Sequence, residues 1–298
     1  MAYIMENARV QKGNLKKNVC LLVEGSKITA IREAFPSYTH CRMELDSYIM
    51  TPTFAVFDMG LPLGQTFGDK KSYYLKNFIK RGCTTVLTCV PITSAATLEA
   101  GFRKATAQLT DCPVDYVLGA RIPASLLTPS FIRKCKHAKI PALFVDVGSQ
   151  KDIVSLPWGW IREAMFPYNS PLIPVFKSGD PTLKALWARI MKKEKIPSML
   201  HELEEHLPAE MEALQKIGIY PGKCNLQHGG EVSYNLYLRN GETEEAKDTG
   251  ELFMKHEDKL SVSVHKGVVI RAGSQVHYRP GYGEYIVITT PAFHTAPV

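Results

Sequence analysis

Between residues 51 and 221 the chain alternates short apolar runs with longer amphipathic ones, and this alternation limits the possible folds more than any other feature of it. The short runs IMTPTFAVFD, TTVLTCV, VDYVLGA, PALFVDV and PLIPVFK read as strands. Between them KSYYLKNFIKRG, SAATLEAGFRKATAQL, TPSFIRKCKHAK, KDIVSLPWGWIREAM and PTLKALWARIMKKEK carry helical periodicity. A last helix, LPAEMEALQKIG, ends at Gly218. Thr93 or Ser94 suits the start of the second helix, Thr128-Pro129 the start of the third, and Gly82 the end of the first.

The flanks differ. Residues 1–50 and 222–298 alternate apolar and polar residues with period two, as in YIMENARV, NVCLLVEG, VSYNLYL, KLSVSVHKG, VVIRAG and EYIVITT. The expected architecture is α/β. Residues 51–221 form an abbreviated or open (β/α) TIM-like barrel, and residues 1–50 and 222–298 form a small β-sandwich domain built from both chain ends. Five or six βα units fit in the middle region, whereas a complete eight-unit barrel needs about 200 to 250 residues.

Composition narrows the setting. The charge of +7 is dispersed, with only short basic runs such as Arg133-Lys134-Cys135-Lys136, so no nucleic-acid partner is expected. Seven scattered cysteines form no C-x-x-C pair, which suits reduced thiols in a cytoplasmic protein. No run approaches the roughly 20 apolar residues of a membrane span.

Three segments in order resemble cyclic amidohydrolases of the dihydroorotase and allantoinase type. The run SYIMTPTFAVFDMG is similar to the entry strand, Pro-Gly-Phe-Ile-Asp-x-His-x-His in that family. YLKNFIKRGCTTVLTCVPIT resembles the second unit, with Gly82, Thr84, Thr85, Pro91 and Thr93 in frame. LQKIGIYPGKCNLQHGGEVSYNLYL resembles the return to the β domain, with Gly218, Pro221, Lys223, Leu226 and Gly229 in frame. The family hydrolyses carbon–nitrogen bonds of cyclic amides with one or two divalent metals held by histidines, a lysine and an aspartate.

That resemblance puts Asp58 and Gly60 at the two histidine positions and Val56 at the preceding aspartate. Leu143, Phe144 and Val145 stand where the lysine belongs, beside Asp146, and the later strands offer only Lys177 and Asp180. The Ser-x-Asp-His-Ala-Pro signature has no counterpart. HELEEH would pair Glu202 with His206 and His201 with Glu205 on helix faces, a partial metal-pair pattern without a third ligand. Cys83 and Cys89 have no histidine partner to activate them as nucleophiles.

The resemblance therefore implies a member without metal-dependent catalysis and with no cofactor, serving as a protein partner, homo-oligomeric scaffold or small-molecule-binding protein. Its alternative is a divergent hydrolase of a cyclic amide or ureide that uses Asp58 with Asp146 or Asp180, and zinc only in that case. Asp58 is the candidate catalytic residue, and Asp146, Asp180, His201 and His206 are candidate binding residues.

Overall fold

The computed structural model describes residues 2–291. Its first strands, β1 (Ala2–Lys12), β2 (Leu15–Glu24) and β3 (Lys27–Arg32), form an antiparallel meander. β4 (Cys41–Glu44) and β5 (Tyr48–Pro52) run parallel to successive parts of β1. A bulge between Met5 and Ala8, with Asn7 at φ 52°, separates those two pairings.

The run 49–58, read as one strand, breaks at Thr53. Pro52 ends β5, and the chain passes into β6 (Phe54–Phe57), which belongs to a different sheet. There β6, β7 (Cys83–Pro91), β8 (Asp115–Pro123), β9 (Leu143–Val147) and β10 (Leu172–Phe176) lie parallel in sequence order, a curled half-barrel. The crossovers carry α1 (Phe67–Asn77), α2 (Leu98–Gln108), α3 (Pro129–His137), α4 (Gln150–Val154) and α5 (Trp158–Met165), and α6 (Pro181–Glu194) follows β10.

Helix starts follow capping chemistry with one correction. Thr128 caps α3 by accepting from the Phe131 amide, as expected. Thr93 and Ser94 do not open α2; Thr97 precedes its first residue. The run 151–165 forms two helices, with Pro157 between them.

The second half of the outer sheet comes from the C-terminal region. After α7 (Met211–Ile217), β11 (Tyr234–Leu238) pairs with β5, and β12 (Leu260–His265), β13 (Val268–Ala272) and β14 (Gln275–Val276) extend it outward. α8 (Gly241–Glu245) and α9 (Thr249–Lys255) stand between β11 and β12, where the sequence pattern had suggested only loops. Hydrogen bonds join these strands and β1–β5 into one nine-stranded sheet rather than the two separate layers of a sandwich.

The run 284–290, expected among the terminal strands, joins the parallel sheet instead. The Tyr116 amide donates to the Glu284 carbonyl and the Ile286 amide to the Tyr116 carbonyl. β9 pairs with β8 only from Ala120 onward, so the start of β8 has a free edge that this segment fills.

Both sheets meet at Gly82. With φ 73° it closes the turn into β7, and a Cβ there would lie 2.5 Å from the Asn235 side chain. Asn235 of β11 donates to the Gly82 carbonyl at 3.0 Å, so only a glycine allows this approach.

Candidate functional site

The two faces of the parallel sheet separate by alternation. Val56, Val86, Leu118 and Val145 point toward the helices, while Phe57, Leu87, Cys89, Val117, Phe144 and Ile173 form the concave face. That concave face is filled. Phe57 and Phe144 stack at 4.9 Å with planes 5° apart, and Ala213, Leu214 and Ile217 of α7 pack in the same cluster with Met199 and Ile288. Gly119 makes room for the stack, since a Cβ there would meet the Phe144 ring at 2.7 Å.

One irregular segment bonds to both edges of this sheet. The Leu172 amide donates to the Pro197 carbonyl and the Met199 amide to the Leu172 carbonyl, beside β10. The His206 amide then donates to the Phe57 carbonyl and the Ala209 amide to the Ala55 carbonyl, beside β6. HELEEH is not a helix: its His206 amide serves the edge of β6, and Pro208 follows two residues later. The expected helix-face pairs Glu202–His206 and His201–Glu205 do not form on it.

Sites in parallel βα folds sit at the C-terminal ends of the strands. There the fold brings Asp58 and His206 together from 148 positions apart. Asp58 is fully buried. Its Oδ1 accepts from the Gly60 amide at 2.7 Å, and its Oδ2 accepts from the Tyr73 hydroxyl at 2.7 Å. Burial first, and then the Asp58 hydrogen bond and charge, push the Tyr73 hydroxyl far above its ordinary pKa, so it remains a donor.

His206 Nδ1 lies 3.8 Å from Asp58 Oδ2, beyond hydrogen-bond reach, and is buried without a hydrogen-bond partner. The residue holds φ 60°, the left-handed region that costs energy for a side-chain-bearing residue. Arg81 fixes it by donating to its carbonyl at 3.0 Å, and Glu205 accepts from the Met59 amide at 3.2 Å.

Asp146 lies on the same rim but pairs with Arg121, Nε to Oδ1 at 2.8 Å. Asp180 is elsewhere: exposed, it caps α6 by accepting from the Thr182 amide and hydroxyl at 2.8 and 2.7 Å, which lowers its pKa. His201 is exposed and pairs with Glu210 at 3.2 Å. Cys89 and Cys83 are buried; burial pushes the Cys89 thiol up to about 12 and Cys83 higher still, so neither is an activated nucleophile.

A second cluster, which the sequence reading missed, lies at the opposite end of the sheet. Buried Asp115, at the start of β8, accepts from Lys223 and Lys266 at 2.6 Å each, from the Glu284 amide at 2.9 Å, and faces His265 Nε2 at 3.2 Å. Lys223 also pairs with Glu231, and Lys266 with Glu284 at 3.0 Å. Burial alone would raise the Asp115 carboxyl, but His265 and Lys223 hold it well below the carboxylate range. Lys223 at the family-like frame Pro221–Lys223 was its only sequence signal.

Neither cluster suits a divalent metal. At the strand ends Gly60 offers no donor, Asp146 is paired with Arg121, and among the described residues no three ligand atoms converge. Among the described residues, Asp115, Glu231 and His265 do bring three ligand atoms within 4.8 Å of one another. Two lysine ammoniums, however, already neutralise those carboxylates, and an ammonium has no lone pair to give a metal. This network instead ties β8 to the β12–β13 hairpin across the two sheets.

No family model and no curated protein matches the chain. Solved structures do match in fold. A D-hydantoinase is 8% identical with a TM-score of 0.65, the match covering 98% of this chain and 100% of that one. A dihydropyrimidinase from Brevibacillus agri NCHU1002 is 11% identical with a TM-score of 0.62, covering 98% and 100%. A prolidase complexed with N-methylphosphonate-L-proline is 8% identical with a TM-score of 0.54, covering 91% and 100%. Among the described residues no helix is long and apolar enough to cross a membrane.

Proposed function

We propose that this amidohydrolase-like chain carries out no metal-dependent hydrolysis and serves as a binding or partner protein, the half-barrel acting as a rigid scaffold. The observation that carries this reading is the donor set at the strand ends, where among the described residues no three metal-ligating side chains converge. The Phe57–Phe144 stack, Leu87, Cys89 and α7 fill the concave face beneath those strand ends, as side chains fill any barrel interior. Asp58, at the position of the first metal ligand in the resemblance, is engaged by Tyr73 and Gly60 and stabilises the loop after β6. Its buried carboxylate is a structural acceptor whose hydrogen bonds offset its desolvation.

The competing reading, a divergent hydrolase, draws on Asp58, His206 and Glu205 at one rim. It would need His206 to be oriented by Asp58, and the 3.8 Å gap does not provide that. Asp146 is occupied by Arg121 and Asp180 by its helix cap, so neither complements Asp58. The test is ring opening of a hydantoin and a dihydropyrimidine by purified protein, with and without added zinc or manganese. No turnover above the uncatalysed rate is expected. Turnover abolished by Asp58→Asn would establish the hydrolase instead.

A further inference from the structure

The meander of β1, β2 and β3 presents an apolar groove on one face, walled by partly exposed Val19 and Ile31 above buried Val10, Leu21 and Leu226. Its volume of about 210 Å³ is below the roughly 300–1,000 Å³ of pockets that enclose drug-sized ligands, so it suits a small molecule. Leu15, at the hairpin end of the same face, is 65% exposed and extends the apolar stripe to the rim.

Two lysines stand at this groove. In the β1–β2 register Lys12 faces Leu15 and Val10 faces Lys17, which puts both lysines among the residues that line the groove. Lys12 is half-buried, and its ammonium donates to Asn225 Oδ1 at 2.8 Å and to the Leu226 carbonyl, both neutral acceptors. Among the described residues no carboxylate forms an ion pair with Lys12 or Lys17. Desolvation, and then the like charge of Lys17, lower the Lys12 pKa, as befits an ammonium without a counterion. Lys16, on the opposite face, reaches the Glu244 and Ala246 carbonyls and plays no part in the groove.

We infer that this groove binds a small amphiphilic carboxylate, its aliphatic chain lying on Leu15, Val19 and Ile31 and its anion between Lys12 and Lys17. An apolar cavity alone would select no charge. A half-buried ammonium at its mouth, with one donor hydrogen left and a second cation beside it, selects an anion. The groove's volume of about 210 Å³ favours a chain of moderate length.

The test is calorimetric titration of the full chain with octanoate, alongside acetate, octan-1-ol and octylammonium, and with methyl chemical shifts of Val19 and Ile31 followed by NMR. Octanoate is expected to saturate one site and to move those methyls, while acetate and octylammonium do not bind. Octan-1-ol, which lacks the charge, should bind weaker by roughly tenfold, the worth of one charge-assisted contact. Lys17→Gln, an exposed change that leaves the fold intact, should weaken octanoate by a similar factor. The inference is overturned if octanoate does not saturate, if octan-1-ol equals it, if Lys17→Gln binds unchanged, or if the methyls stay still. Sedimentation with anionic phosphatidylglycerol vesicles without octanoate binding would also overturn it, in favour of a membrane surface.

Discussion

Replacing Asp115 with asparagine removes the charge at the centre of the network between the two sheets. Asparagine keeps one carbonyl oxygen for the Glu284 amide, but its amide group would face a lysine across a 2.6 Å contact. Breaking a buried ion pair by removing one partner costs about 3–5 kcal/mol. Lys223 retains Glu231 and Lys266 retains Glu284, so the lower end applies, about 3 kcal/mol. Urea unfolding of both proteins at pH 7 measures it.

The difference should also depend on pH in a defined direction. Asp115 is held below its ordinary value in the folded state, so its contribution is fully present above the unfolded carboxyl pKa of about 3.9 and is lost as pH falls toward the folded value. The gap between wild type and Asp115→Asn should therefore be constant from neutral pH to about pH 5 and narrow below about pH 4. A difference under about 1 kcal/mol at pH 7, or one that widens in acid, would refute the assigned role of the network.

Other substitutions test single features. Phe144→Ala removes a fully buried ring from the stack and should cost about 3–5 kcal/mol in the same unfolding assay, with a smaller loss indicating a looser concave face. Gly119→Ala should cost about 1–3 kcal/mol, because the added Cβ meets the Phe144 ring and, at 3.0 Å, the Ala142 carbonyl. Tyr73→Phe leaves the buried Asp58 carboxylate one donor short and should lower stability by about 1–3 kcal/mol. Asp180→Ala should cost about 1 kcal/mol while Asp180→Asn stays near neutral, since asparagine caps a helix equally well; a large loss in the asparagine variant would indicate a role beyond capping.

The βα order was legible because period-2 and period-3.6 patterns follow from which face each element buries, and β6–β10 and α1–α6 each overlap an expected run. What the pattern does not carry is the partner of a strand-like segment. EYIVITT looks like any edge strand, yet it joins β8 because β9 leaves that edge free. IMTPTFAVFD reads as one strand, yet its two halves belong to different sheets.

HELEEH has helical spacing, but β6 takes its His206 amide and His206 stands at positive φ, a tertiary effect that local propensity does not register. α8 and α9 did have local signals, Asn240 and Asp248 at their N-caps, which the period-2 reading of that region passed over. At the candidate site, Asp58 was visible through its position in the entry strand. Its partners were not, because Tyr73 and His206 approach it only after α1 and the segment beside β6 are in place. The Asp115 network was invisible for the same reason: its members come from β8, the 223–231 loop and the β12–β13 hairpin.

The central proposal is that the strand ends bind no catalytic metal. Elemental analysis of the purified chain, after incubation with excess zinc or manganese and extensive dialysis, addresses it most directly. The lack of three converging ligands at the strand ends among the described residues, and the lysines on the Asp115 cluster, predict well under one equivalent of either metal per chain. One or two equivalents retained by the wild type and lost in Asp58→Asn would contradict it.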